Sequence, residues 1–378
     1  MIYFDNAATT NYKPPEVINT VVDCLTNYSF NANRSGHKKA IELSQKIMST
    51  REKIANFVNL PLNGNVIFSG SCTQSLNLAL IGSAKRHGHV ITTMCEHNSV
   101  LRPLHEMQKN GIITLTVLKP DENGDITSEM VKDALRPDTY LVAMNAVSNV
   151  TGHAQKITNI GELLSQYNVK FLVDGAQSVG YLPINMARDH INMLSIPSHK
   201  GLHGMQGAGA LCVNNIELLP IVYGGTGTES EKVYQPTTIP DGYEAGTLPT
   251  PAILSMGAGI EWINVAKINE LPTILRLCEL IISGLRQIPT VTVYSEINQS
   301  GIIAFNIGDL DSSLISDSLS SGYDIATRSG LHCAPLMHQA LGTTKTGIVR
   351  VSVSGSNTAN ECYTLLNAVN QLKNKLTK

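Results

Sequence analysis

Two residues in the middle of the chain, Asp174 and Lys200, have types and a spacing that suit amine chemistry. Asp174 ends the apolar run 171–173, and Lys200 follows the end of another predicted strand about one βα unit later. A carboxylate can keep a pyridine nitrogen protonated, and a lysine amine can form a Schiff base with an aldehyde. The pair therefore predicts an enzyme that uses pyridoxal 5'-phosphate as its cofactor.

Each residue also has a simpler explanation. Asp174 could cap a helix that opens at Gly175, and Lys200 could be a solvated loop lysine. A buried acid is unfavourable unless it is paired, and a pyridinium cation would pair it. The glycine-dense turn 201–207 lets the backbone approach a ligand closely. Desolvation there would lower the pKa of the Lys200 amine until it can also move protons.

Arg350 and Cys333 add a carboxylate-binding group and a nucleophile. Arg350 lies in an apolar β-rich run, where a buried arginine needs an anion. A planar guanidinium suits a substrate α-carboxylate, and an internal ion pair is the alternative. Cys333 lies in a polar turn with Arg328, Gly330 and His332, and positive neighbours favour the reactive thiolate. We expect the other cysteines to be small core residues.

A phosphate group is expected where residues 71–73, Ser-Cys-Thr, open a helix. Free N–H groups and the helix dipole favour anions at that point. Cys72 and Thr73 are therefore candidate phosphate ligands, and Ser198 and His199 would complete the cradle. N-capping of the helix by Thr73 is the simpler alternative and is compatible with phosphate binding.

The composition limits the classes of partner. Only 15% of the 378 residues are charged and 42% are hydrophobic, against about 25% charged in an average soluble protein. This low surface charge favours an additional buried face and hence an oligomer. The net charge of −2 indicates no nucleic-acid or anionic-membrane partner. No apolar run approaches the roughly 20 residues of a membrane span.

The N-terminus and the cysteines indicate a reducing compartment. Residues 1–5 lack the basic start and the long apolar core of a signal peptide. The 7 cysteines are scattered and form no Cys-x-x-Cys pair, so neither a disulfide framework nor a zinc site is expected. We expect a cytoplasmic protein without a bound metal.

Short apolar runs alternate with helical patterns and predict an α/β protein with a mostly parallel sheet. Polar residues at the ends of such strands meet at one edge, where Asp174, His97 and Lys200 fall. We predict a large cofactor-binding domain over residues 15–250. A smaller α/β domain would combine residues 1–14 with 251–378. Its predicted elements are a helix over 249–265, strands at 291–294, 302–305, 324–327 and 348–352, and a last helix with a capping box at 358–361.

Several motifs occur in an order that is far more specific than any one of them. Besides the segments around Asp174, Lys200 and Cys333, they are residues 3–10 (Tyr-Phe-Asp-Asn-Ala-Ala-Thr-Thr), 96–99 (Glu-His-Asn-Ser), 147–152 (Val-Ser-Asn-Val-Thr-Gly), 244–247 (Glu-Ala-Gly-Thr), and Arg350 followed by Asn357 and Thr358. In this order the chain resembles the class V aminotransferase family, and within it the short-loop (group II) cysteine desulfurases and selenocysteine lyases. That resemblance implies pyridoxal-phosphate fold type I.

The resemblance also implies roles for individual residues. His97 would stack on the cofactor ring and move protons, and Gln177 would bind the ring oxygen. Asn149 would help to hold the ring and the substrate carboxylate. Thr247 would reach the phosphate of a neighbouring subunit, which implies a homodimer. Cys333 would attack the sulfur of the substrate and keep it as a persulfide.

Four positions depart from the family pattern or remain ambiguous. Ser71 and Cys72 replace the usual Gly-Thr before Thr73, and Leu331 replaces the first of two histidines before the cysteine. His37 resembles a histidine near the mouth of the family's pocket, but it could equally begin a helix.

We expect a desulfurase that releases L-alanine from L-cysteine and passes sulfur to an acceptor protein. A selenocysteine lyase would share every residue named, so the sequence leaves it open. Another pyridoxal-phosphate reaction, such as transamination, would not need Cys333. A cofactor-free scaffold that binds a sulfur carrier would not need Lys200, Asp174, His97 and Arg350 together.

Overall fold

A computed structural model describes residues 1–32 and 36–376. In it, strands alternate with helices along most of the chain. The strands are β1 (Ile2–Tyr3), β2 (Asn65–Ser69), β3 (Gly88–Thr93), β4 (Ile113–Leu118), β5 (Thr139–Asn145), β6 (Lys170–Asp174), β7 (Met193–Pro197), β8 (Gly209–Val213), β9 (Val291–Val293), β10 (Ile302–Ile307), β11 (Ile325–Ala326) and β12 (Val349–Ser352). The α-helices are α1 (Pro15–Asn27), α2 (Lys38–Phe57), α3 (Cys72–Gly82), α4 (Asn98–Lys109), α5 (Ser128–Ala134), α6 (Ile157–Ser165), α7 (Thr250–Arg286), α8 (Ser312–Tyr323), α9 (Pro335–Leu341) and α10 (Ala359–Leu376).

The largest sheet of the described residues has seven strands in the order β2-β8-β7-β6-β5-β3-β4. The strands from β7 to β4 run parallel, and β8 is antiparallel to both of its neighbours. Every residue of β5, β7 and β8 is buried, as expected when helices cover both faces. The prediction of a mostly parallel α/β sheet is confirmed.

The register of three neighbouring strands aligns their polar ends. Asn145 on β5 lies opposite Asp174 on β6, and Asp174 lies opposite Ser195 on β7. Because β5, β6 and β7 are parallel, these side chains meet at the same carboxyl edge, where ligands of such sheets bind.

A second core forms around the antiparallel sheet β12-β10-β9. Ile303 and Phe305 on β10 pack in one apolar cluster with Leu277 and Ile281 of α7. The predicted capping box of α10 is present, because Glu361 accepts from the Thr358 N–H and the Glu361 N–H donates to the Thr358 hydroxyl. The predicted domain boundaries remain a prediction.

Two predicted elements differ from the structure. The helix predicted over 249–265 continues to Arg286, because its second half carries the buried face Ile274, Leu277, Ile281 and Leu285 of the second core. The predicted strand 324–327 shortens to β11, which pairs in parallel with β1 and does not join the three-stranded sheet. Among the described residues, no helix is both long and apolar enough to cross a membrane.

Candidate active site

A cavity of about 210 Å³ lies at the carboxyl ends of β5 and β6. The residues that line it come from distant parts of the sequence. Of the predicted site residues, those that line it are Cys72, Thr73, His97, Asn149, Asp174, Gln177, His199, Lys200 and Arg350. Ser198, Thr247 and Cys333 are not among its lining residues.

The backbone of Lys200 is held by the N-terminal segment. The Thr10 hydroxyl donates to the Lys200 carbonyl oxygen at 3.3 Å, and the Thr10 N–H donates to the carbonyl oxygen of His199 at 3.0 Å. Burial lowers the pKa of the Lys200 amine, whereas Cys72 and Asp174 act in the opposite direction. The amine is thus closer to its neutral, proton-accepting form than an exposed lysine would be.

The Asp174 carboxylate faces the first turn of α3. It is 5% exposed, and its Oδ1 accepts from the Ala176 N–H at 2.9 Å and from the Cys72 thiol at 3.7 Å. The Cys72 Sγ lies 3.0 Å from the Ser195 Oγ, and burial raises the pKa of the Cys72 thiol. The local bond to Ala176 belongs to a turn, not to a regular helix, so Asp174 is not a helix cap.

The N-terminus of α3 is capped by Ser71. The Ser71 hydroxyl accepts from the Gln74 N–H at 3.2 Å, whereas the Thr73 hydroxyl bonds to the Ser99 hydroxyl at 2.8 Å. The alternative of capping by Thr73 is therefore wrong. A helix N-terminus that carries Cys72 and Thr73 at the cavity has the dipole direction that an anion requires.

His97 is oriented by its own helix. As the N-cap of α4, its Nδ1 accepts from the Ser99 N–H at 3.1 Å and lies 2.9 Å from the Ser99 hydroxyl. Burial lowers the pKa of the imidazole. An accepting Nδ1 on a neutral ring leaves the proton on Nε2, so His97 presents an N–H donor at its other end.

Several buried polar atoms around the cavity have no hydrogen-bond partner among the described residues. They are the Oδ1 atoms of Asn145 and Asn149, the Oε1 of Gln177 and the Nδ1 of His199. All four residues line the cavity. Burial, together with Lys200 and Lys13, lowers the pKa of His199 to about 4. Buried polar groups are normally satisfied, so this set fits a polar ligand. Together with Asp174, Lys200 and the α3 N-terminus, it fits pyridoxal phosphate.

Arg350 forms an internal ion pair, which was the alternative to binding a substrate carboxylate. It nevertheless also lines the cavity. Its Nη2 donates to the Asp5 Oδ1 at 2.8 Å, and its Nη1 donates to the Asn149 carbonyl oxygen at 2.9 Å. Its Nε has no hydrogen-bond partner in the part of the chain that the structure describes. Arg328 lies opposite Arg350 in an antiparallel bridge and lines the same cavity. The site therefore holds two arginines with donors to spare.

Cys333 is exposed and directly follows a cavity-lining residue, His332. Both residues have positive φ angles, +49° and +56°, and Gly330 has +93°. Such backbone is strained for non-glycine residues and is common at functional turns. The turn is anchored because the Asn98 N–H donates to the Cys333 carbonyl oxygen at 2.6 Å.

His332 does not supply the positive charge that was expected beside Cys333. It is 3% exposed, and its Nε2 contacts the Ile348 carbonyl oxygen at 3.0 Å. Burial and the nearby Arg350 lower its pKa to about 2, so the ring is neutral. Arg328 is the remaining cation of the predicted cluster.

Ser198, Thr247 and His37 lie away from the cavity. Pro197 and His199 line it, and the side chain of Ser198 between them points to the opposite side, where its hydroxyl meets Ser255 at 3.5 Å. Thr247 is exposed and borders a separate small pocket. His37 caps α2 by accepting from the Ala40 N–H.

Sequence reasoning missed two residues at this site. Asn145 ends β5 beside Asp174, and the rule that strand ends meet at one edge would have found it. Asp5 was noticed only as part of a motif, since nothing local indicates a pairing with a residue 345 positions away. A larger groove, of about 850 Å³, runs between residues 119–124 and 294–299, and the described residues that line it include no predicted site residue.

Comparisons with known proteins agree with this geometry. The aminotransferase class-V family model matches residues 2–365. A probable cysteine desulfurase of Methanothermobacter thermautotrophicus is 30% identical over 375 residues, which cover 96% of this chain and 92% of that protein. The cysteine desulfurase IscS of Photobacterium profundum is 32% identical over 308 residues, covering 79% of this chain and 72% of that protein.

A solved structure shares the fold over nearly the whole chain. The apo cysteine desulfurase of Thermococcus onnurineus superposes with a TM-score of 0.91 at 27% sequence identity, and it covers 99% of this chain and 95% of that one. Given the family match over almost the full length, this chain belongs to the class-V aminotransferase family.

Proposed function

We propose that this chain is a pyridoxal-phosphate-dependent cysteine desulfurase that converts L-cysteine to L-alanine and keeps the sulfur as a persulfide on Cys333. The observation that carries the proposal is the cavity in which Asp174, Lys200 and Arg350 meet, with Cys333 one residue beyond its lining. The names of the relatives support the same activity.

Asp174, Gln177, His97 and the N-terminus of α3 would hold the cofactor. Asp174 would bind the pyridine nitrogen, and Cys72 and Thr73 would face the phosphate. The Ser198 hydroxyl contacts Ser255 and not the cavity, so Ser198 would not bind the cofactor with its side chain. When bound, pyridoxal phosphate supplies an electron sink that stabilises negative charge at the α-carbon of the substrate.

Lys200 and Arg350 would act on the amino acid. Arg350 would bind the α-carboxylate with its spare donors, with help from Asn149. The Lys200 amine, whose pKa burial lowers, would remove the α-proton and deliver it again. The Nε2–H of His97 would donate a hydrogen bond or a proton within the same cavity.

Cys333 would perform the sulfur transfer. Its thiolate would attack the substrate sulfur, forming a sulfur–sulfur bond while the carbon–sulfur bond breaks. The bonding pair stays on the β-carbon, which is protonated to give L-alanine. Exposure of Cys333 suits the later transfer of the persulfide sulfur to an acceptor protein, which we propose as a partner.

We further propose a homodimer in the cytoplasm. Thr247 is exposed, as a residue that reaches the phosphate of a partner subunit must be. Cofactor affinity should then depend on dimerisation, and a fully active monomer would contradict this role. The free, mostly buried cysteines suit a reducing compartment.

The test is an assay of the purified holoenzyme with L-cysteine and with L-selenocysteine, following alanine release in both. Alanine and a Cys333 persulfide from L-cysteine are expected. Turnover of selenocysteine alone would favour a selenocysteine lyase, which these residues also fit. A protein that binds no pyridoxal phosphate would refute both activities.

A further inference from the structure

The ion pair between Asp5 and Arg350 anchors a guanidinium group without using all of its donors. Arg350 is 1% exposed, and the Asp5 side chain is 22% exposed. One contact goes from Nη2 to the Asp5 carboxylate and one from Nη1 to the Asn149 carbonyl oxygen. A guanidinium has five N–H donors in a rigid plane. Both terminal nitrogens are thus held, and donors remain for a second anion.

The chain segment that carries Asp5 is fixed to β12 by hydrogen bonds on both sides of Asp5. The Phe4 carbonyl oxygen accepts from the Ser352 N–H at 2.7 Å, and the Ala7 N–H donates to the Ser352 hydroxyl at 2.9 Å. Ser352 lies two residues after Arg350 on β12, so their side chains share one face of the strand. The backbone that carries the Asp5 carboxylate is therefore joined directly to the strand that carries the Arg350 guanidinium.

The charges around Arg350 also require an acid at this point. Arg328 and Arg350 exchange backbone hydrogen bonds of 3.1 and 2.7 Å across their bridge. Like charges directly opposite each other on paired strands repel. Asp5 offsets this repulsion and stabilises the buried charge of Arg350.

We propose that Asp5 is a positioning residue that holds the Arg350 guanidinium in the orientation in which its remaining donors bind the α-carboxylate of the substrate. This inference rests on the proposed function, because it takes an amino acid as the ligand of Arg350. The opposite role, in which Asp5 competes with the substrate for Arg350, predicts that substrate binds more tightly once Asp5 is removed.

The experiment compares Asp5→Asn and Asp5→Ala with two other variants of the cofactor-loaded enzyme. Arg350→Ala removes the carboxylate ligand itself. Asp324→Asn is the matched control, because Asp324 forms an exposed ion pair with the N-terminal amine at the start of the same segment. The Kd of L-alanine, the reaction product, is measured from the change in cofactor absorbance. The KM and kcat for L-cysteine are measured in parallel.

Asp5→Ala should weaken L-alanine binding roughly tenfold, the size of one charge-assisted hydrogen bond. The KM for L-cysteine should rise with it, whereas kcat should change little. Asp5→Asn keeps an oxygen acceptor and should show a smaller loss, and Asp324→Asn should match the wild type. Thermal unfolding of each variant checks that it is folded.

Unchanged or tighter L-alanine binding in a folded Asp5→Ala enzyme would overturn the positioning role. If Arg350→Ala weakens binding while both Asp5 variants do not, only the inference about Asp5 fails. If Arg350→Ala binds L-alanine as well as the wild type does, the assignment of Arg350 in the proposed function fails, and the inference about Asp5 fails with it.

Discussion

Arg51 and Glu244 form a mostly buried, bidentate ion pair that joins α2 to the segment carrying Thr247. Both terminal nitrogens of Arg51 donate to the Glu244 carboxylate, which also accepts from the Phe68 N–H at 2.6 Å. The guanidinium carbon of Arg51 lies 4.4 Å from the centre of the Phe68 ring. One carboxylate therefore connects a helix, the end of β2 and the segment before Thr247.

Removing Glu244 should destabilise the protein strongly. Glu244→Ala leaves the Arg51 charge and the Phe68 N–H without their partner, and breaking a buried ion pair in this way costs about 3–5 kcal/mol. Urea unfolding of the holoenzyme measures the loss. Glu296→Ala is the control, since Glu296 forms a mostly exposed pair with Arg286 and such pairs contribute little. Equal effects of the two variants would contradict the argument.

Lys200 is expected to be the lysine that binds the cofactor covalently. Lys200→Ala should abolish the borohydride-stable attachment of pyridoxal phosphate, because its amine lines the cavity beside Asp174. Lys13 is the sharpest control, since burial also lowers its pKa, to about 8. Lys13→Ala should keep the label on Lys200. Mass spectrometry that finds the label on another lysine would refute the assignment.

Replacing Cys333 should reduce activity far more than replacing a buried cysteine. Cys333→Ala should keep bound cofactor and still bind L-cysteine, but alanine formation should fall about a thousandfold, which is roughly 4 kcal/mol of barrier. Selenocysteine turnover should fall less, because selenium leaves more readily. Cys278→Ala, a change in the second core, should mainly lower stability. Wild-type desulfuration by Cys333→Ala would exclude the persulfide mechanism.

Glu96, next to His97, should make stability depend on pH. The Glu96 side chain is buried, and the Thr93 hydroxyl donates to its Oε1 at 2.6 Å. Its Oε2 has no hydrogen-bond partner within residues 1–32 and 36–376. Burial raises its pKa to about 8. Below about pH 4.5 the folded and unfolded states are both protonated. Between that pH and about 8, the unfolded chain releases the proton that the folded state keeps, so stability falls as the pH rises.

The comparison of wild type with Glu96→Gln isolates this contribution, since other titrating groups cancel in the difference. The wild type should lose up to about 1.4 kcal/mol per pH unit relative to the variant across that window. Urea unfolding of both holoenzymes at pH 5 to 8 provides the measurement. Parallel stability curves would show that Glu96 is ionised in the folded state.

The sequence by itself determined the α/β class, the family and most of the cavity. Asp174 and the other strand-end residues could be predicted because a buried parallel sheet brings its polar strand ends to one edge. The start of α3 and the capping box of α10 could be predicted for a different reason, because helix starts are set by local sequence. Each depends on residues within one turn of the chain.

Only the tertiary structure decided the contacts that depend on burial or on distant segments. Ser198 does not line the cavity, although Pro197 and His199 on either side of it do, because its hydroxyl contacts Ser255 of α7 instead. His332 is neutral because the fold buries it. Arg350 meets Asp5 because β12 brings together residues 345 apart in sequence. Such pairings follow from the packing of whole elements, which no local sequence pattern encodes.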